Sequence, residues 1–143
     1  MSLQETTNLL EIAMIAAELA SNECYKNLVE TGPRYNIRNA DLFGEVSGPV
    51  VGTMLDLCGS AWIVLNGNQN FVRDLKKIGN KRLDWIEGTG WRLRKSVDSG
   101  YILHLSYSKS MRQESSVHSA AYYSAMKILD TAGVKGHVHT HIV

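Results

Sequence analysis

The sequence predicts an α+β fold: an N-terminal helical segment followed by a ferredoxin-like βαββαβ antiparallel sheet with helices on one face. Three observations carry this. An alanine-rich stretch with helical spacing opens the chain. An apolar run ended by Asn66-Gly67 has the length and composition of a buried strand. Residues 91–107 alternate apolar and polar around Asp98-Ser99-Gly100, the pattern of a hairpin. The 143 residues suit a single domain, 44% hydrophobic and 20% charged, which argues against disorder and against separate cofactor and substrate lobes. We divide it into a helical part over 8–58 and a βαββαβ part over 60–143.

In chain order, Asn8 with Glu11 resembles a capping box and Gly32-Pro33 is a stop signal, so a long helix is expected over 8–31, with a break at Ser21-Asn22. Residues 33–47 show no period and are read as loop. A second helix is expected over 48–58, capped by Ser47, with Pro49 in its first turn and Gly59 closing it. Residues 61–65 form a central strand. A third helix opens at Asn68 or Asn70, carries Phe71, Val72, Leu75 and Ile78 inward, and ends at Gly79-Asn80. Leu83, Trp85 and Ile86 then make an apolar turn. In the hairpin, a three-residue loop pairs Val97 with Tyr101, Leu93 with Leu105 and Trp91 with Tyr107. Arg94 then faces His104, Arg92 faces Ser106 and Ser96 faces Ile102. A helix over 115–132 stopping at Gly133 and a strand over 136–143 complete the succession.

Charge and targeting narrow the setting. No leader is read in residues 1–8, and no stretch is long and apolar enough for a membrane span, so a cytoplasmic protein without a membrane is expected. Cys24 and Cys58 have no nearby partner cysteine and read as free thiols. The net charge of +1 hides an asymmetry. Residues 1–60 hold eight acids and three bases, whereas 61–143 hold six acids and twelve bases. Such a chain can dock on its own copy or present its basic half to an anion.

The last strand reads His137-Val138-His139-Thr140-His141. Alternate residues of a strand share a face, so the three imidazoles line up about 6.5–7 Å apart. Val138 and Ile142 are the better core residues, which sends the histidines to the helix-free face. The hairpin register places Arg92, Arg94 and His104 there as well. We therefore expect one cationic face bearing Arg92, Arg94, His104, His137, His139 and His141, binding a small anionic ligand in a regulatory or binding domain. Trp62, Val64 and Ile102 would add an apolar patch that, with the first helix, favours a homodimer or higher homo-oligomer.

Two alternatives accompany this reading. One is an enzyme dependent on histidine or on a divalent metal such as zinc, held by His137 and His139, acting on a phosphorylated or carboxylated substrate. The run H-V-H-T-H-I-V resembles the signature of the histidine-triad nucleotide hydrolases and transferases. That resemblance implies His139 as a nucleophile on phosphate, supported by His137 and His141. It covers seven of 143 residues, with Thr140 where the family carries an apolar residue, and it is not adopted. The other alternative is an RNA- or DNA-binding module using Arg73, Lys76, Lys77, Lys81, Arg82, Arg92, Arg94 and Lys95 with Trp85 and Trp91. A Ser115-Ser116 and His118 pairing at the start of the last helix is read as capping, because no acid suitably placed to orient it is evident.

Overall fold

The computed structural model describes residues 1–40, 46–79, 85–86, 89–105 and 114–142. Expectations for Asn80, Lys81, Arg82, Leu83, Asp84, Ser106, Tyr107 and Val143 lie outside the described residues. In chain order the elements are α1 (Leu3–Thr31), β1 (Tyr35–Ala40), β2 (Val46–Met54), β3 (Gly59–Leu65), α2 (Asn70–Ile78), β4 (Trp85–Ile86), β5 (Trp91–Lys95), β6 (Tyr101–Leu105), α3 (Ser115–Thr131) and β7 (Gly136–Ile142). The fold is α+β with antiparallel sheets, and among the described residues no helix is long and apolar enough to cross a membrane.

α1 begins earlier than its apolar spacing suggests. Ser2 is the N-cap, its hydroxyl accepting from the Glu5 N–H at 3.1 Å, and Asn8 lies inside the helix, accepting from Gln4. No break occurs at Ser21-Asn22. Ser21 is buried and its Oγ donates to the Glu18 carbonyl at 2.9 Å, so the hydroxyl is satisfied within its own turn. Gly32, at φ 88°, ends the helix as the stop signal requires.

The helix expected over 48–58 is absent, and the loop expected over 33–47 is in part a strand. β1 and β2 pair antiparallel from Tyr35 opposite Met54 to Ala40 opposite Val46. Gly48, Pro49 and Gly52 each penalise a helix interior, while Val50, Val51 and Thr53 are β-branched and favour extended backbone. Register shifts around Arg38 leave Gly48 and Pro49 without partners, so the ladder never needs the N–H that proline lacks. Gly59 opens β3 rather than capping a helix. A Cβ there would sit 2.6 Å from the His141 carbonyl oxygen and 2.7 Å from Ser115 Cβ.

The main sheet has the order β4-β5-β6-β3-β7. β4 intervenes between α2 and β5, so the succession from β3 onward is β-α-β-β-β-α-β rather than the expected six elements. The hairpin register differs as well. Trp91 pairs with Leu105, Arg92 with His104, Leu93 with Leu103 and Arg94 with Ile102. The loop is longer than expected, closed by the Ser96 N–H on the Gly100 carbonyl at 3.0 Å. The shift is two residues, and a strand repeats every two, so each side chain keeps its face.

That face assignment organises the core. Leu93, Leu103, Ile63 and Val138 form one row across four strands, and Trp91 with Leu105 and Leu65 with Tyr101 extend it. α1, α2 and α3 bury their apolar sides against this face, α1 packing along α3. Trp91 is fully buried. Its Nε1–H donates to the Leu10 carbonyl at 2.8 Å, and its ring meets Tyr122 edge-on at 6.4 Å. The Tyr122 hydroxyl accepts from the Leu105 N–H at 2.8 Å. Burial pushes that phenol up to about 12, so it stays protonated.

The start of α3 is held from a distance. The Ser115 N–H donates to the Leu57 carbonyl at 2.7 Å, and the Ser116 N–H donates to Asp56 Oδ2 at 2.9 Å, supplemented by the Ser116 hydroxyl. Arg34 lies 3.8 Å from the same carboxylate. The acid near the serines is therefore Asp56, and it accepts from the serine and caps the helix. Burial alone would raise its pKa, but the Ser116 hydroxyl and N–H, the Leu57 N–H and Arg34 outweigh burial and hold it below the ordinary 3.8. A carboxylate more acidic when folded stabilises the fold fully above 3.8 and loses that contribution as pH falls through its folded value. Asp56→Ala is accordingly expected to cost about 1–2 kcal/mol at neutral pH. The difference from wild type should shrink below the ordinary carboxylate value in urea titrations at stepped pH, and a constant difference would contradict the cap.

Candidate functional site: the face of the sheet away from the helices

Directly opposed residues of antiparallel strands point the same way, so the pairing fixes which side chains share the second face. Arg94, Ile102, Val64 and His137 form one row across β5, β6, β3 and β7. Beside it lie Arg92 opposite His104 and Trp62 opposite His139, with Ser60 opposite His141 beyond. All six expected cationic residues thus occupy one face, opposite the row that packs beneath the helices. Arg94, His137, His139 and His141 are exposed, whereas Arg92, His104, Trp62, Val64 and Ile102 are half-buried.

They do not all converge. A cleft of about 410 Å³ lies on this face, lined by Trp62, Val64, Ile102, His137, His139 and the hairpin loop from Ser96 to Ser99. Its floor is apolar, its β7 wall carries two imidazoles, and Asp98 stands on the loop side. The Trp62 and His139 rings lie 4.7 Å apart, tilted by 31°. Arg94 sits at the end of the Val64 row, outside the lining. Arg92 and His104 are one row away, and His141 stands near the far end of β7. His104 is separated from β7 by β3, which prevents a four-histidine centre.

Among the described residues no group of three or more His, Cys, Asp or Glu side chains could hold a metal ion. The expected zinc would have only the His137 and His139 pair from this face. The basic stretch suggested for nucleic acid is also divided. Arg73, Lys76 and Lys77 belong to α2 in the helix layer, Lys95 shares the helix-facing row with Tyr101, and Arg92 and Arg94 point to the other side. Trp91 is 0% exposed, so its ring is not available to stack on a base.

A larger cleft, about 580 Å³, lies between α1 and the start of α3, lined by Glu23, Cys24, Arg34 and Ser116 among others. Of its polar residues, Arg34 and Ser116 meet at Asp56. The Cys24 thiol is pushed up by burial and then by the charge of Asp56, against an opposing effect of Arg34 and with a lesser upward push from Glu114. It is therefore a protonated thiol rather than an activated nucleophile. Sequence reading missed Asp56, because its partner lies 60 residues away and no local spacing signals such a cap. Compared with known proteins, the chain matches no family model, no curated protein and no solved structure.

Proposed function

We propose that this chain is a small ligand-binding domain that takes a flat, anionic molecule, an aromatic or heterocyclic ring carrying a phosphate or carboxylate, on the helix-free face. In this reading the sheet is a ferredoxin-like framework of β3, α2, β5, β6, α3 and β7, to which α1, the β1–β2 ribbon and β4 are added. The observation that carries the reading is the continuous row Arg94–Ile102–Val64–His137 beside the paired Trp62 and His139 rings. Its chemistry is consistent. The apolar floor removes a ring from water, the indole offers a stacking surface, and imidazole and guanidinium groups at the edge supply donors to an anion. Asp98 opposes a second negative charge at the loop side and suits a ligand with an N–H or O–H donor there. A cleft of about 410 Å³ matches the ordinary size of small-molecule sites.

Thermal denaturation with phenyl phosphate, nucleoside monophosphates and aromatic acids tests this. A ligand at about a hundred times its Kd stabilises by about 2.7 kcal/mol, several degrees for a domain of this size. The shift should vanish in Trp62→Ala, weaken in Arg94→Ala, and persist in Arg73→Ala, which alters the helix layer. No stabilisation by any of these compounds, or a shift retained in Trp62→Ala, would refute the proposal.

A further inference from the structure

α1 carries a second, outward apolar ridge. Its inward stripe is Leu10, Ala13, Ala17, Ser21 and Leu28, all buried. Ile12, Ile15 and Leu19, spaced as neighbours on one helix face, lie on the opposite side and are 52%, 50% and 66% exposed. Helical spacing places Glu11 and Glu18 along one edge of this ridge and Glu5 and Glu23 along the other. The whole helix holds five glutamates and one lysine. An exposed apolar ridge with acids on both flanks calls for an apolar strip flanked by cations or hydrogen-bond donors.

The sheet face is such a strip. Trp62, Val64 and Ile102 lie on the two central strands, with Arg92 and Arg94 on β5 to one side and His137, His139 and His141 on β7 to the other. Three strand spacings separate the flanks by about 14 Å, wide enough to seat a helix about 10–12 Å across. We infer that the Ile12–Ile15–Leu19 ridge of α1 docks on the helix-free sheet face of a second copy of this chain. Charge decides among the possible self-contacts. Two α1 ridges would oppose acid to acid and two sheet faces arginine to arginine, whereas ridge on face sets one row of glutamates against Arg92 and Arg94 and the other against the imidazole N–H donors of β7. The two surfaces lie on opposite sides of the molecule, because α1 buries its inner side against α3 and the Trp91 face of the sheet. The contact is therefore heterologous and, repeated, extends rather than closing as a pair. It uses the face proposed for the small ligand but does not require that ligand.

Sedimentation velocity without added ligand tests the inference. Wild type should shift to larger species as concentration rises, and less so as salt is raised. Leu19→Asp breaks the ridge, and Arg94→Glu/His137→Glu breaks the face; all three positions are exposed, so circular dichroism should be unchanged. Each variant alone should be monomeric, its self-association weakened roughly tenfold or more. Mixed, the two should form a one-to-one pair and stop, since Leu19→Asp retains an intact face and the double variant an intact ridge. A wild type monomeric at every concentration, either variant dimerising alone, or a mixture that stays monomeric would overturn head-to-tail docking. Leu19→Asp should still show the ligand-induced thermal shift, so failure of the ligand reading and failure of this one are told apart.

Discussion

Trp91→Ala is expected to cost about 3–5 kcal/mol, the range for emptying a large buried aromatic site. Three interactions end together in this variant. The indole ring leaves the cluster that joins the sheet to α1 and α3. Its edge contact with Tyr122 goes, and the Leu10 carbonyl loses the second of its donors, keeping the one within the helix. Trp91→Phe separates these contributions. It keeps most of the ring volume but removes the N–H, and because the Leu10 carbonyl keeps its bond within the helix, it should cost only about 0.5–1.5 kcal/mol. Equilibrium urea unfolding of the two variants gives both values. A loss below 1 kcal/mol in Trp91→Ala would mean that α1 is not pinned to the sheet through this residue.

Gly100→Val is the second large effect. Gly100 has φ 80°, and a Cβ there would run into the Leu65 carbonyl oxygen. The left-handed conformation strains a β-branched residue by about 1–3 kcal/mol, and backbone crowding adds about 1–3 kcal/mol more. The variant should therefore lose roughly 2–6 kcal/mol. It should also lose ligand binding, because Gly100 closes the loop whose residues from Ser96 to Ser99 form one wall of the cleft. Gly133 is the control. It has φ 88° but nothing within 4 Å of a built Cβ, so Gly133→Ala should show only the conformational cost of about 1–2 kcal/mol with binding intact. Equal losses in the two variants would mean that the Leu65 contact contributes nothing.

Much of the candidate site was legible because strand periodicity is robust. The expected hairpin register was displaced by two residues, yet Arg92, Arg94 and His104 kept their face, since an even displacement preserves sidedness. The histidines of β7 followed from alternation alone. Other parts required information beyond local spacing. The capping-box resemblance at Asn8 concealed the simpler cap at Ser2, six residues earlier. Between 46 and 54 the apolar spacing mimicked a helix, while Pro49 and two glycines counted against one. Asp56 reaches α3 only through the tertiary fold. Trp91 lies among the basic residues and looks like a stacking surface, although its alternation with Leu93 places it beneath the helices. The ridge on α1 is legible as apolar residues in the sequence, but its outward direction depends on which side packs against α3.

Trp62, Val64, Ile102, His137 and His139, with the hairpin loop, form the proposed binding surface. A heteronuclear NMR titration with phenyl phosphate tests it most directly. Saturable shifts should concentrate on these residues and on 96–99, with α2 and the Cys24–Arg34 cleft unchanged. Shifts centred on Cys24, Arg34 and Ser116, or on the cleft between Gln69 and Lys135, with the sheet face silent, would contradict it.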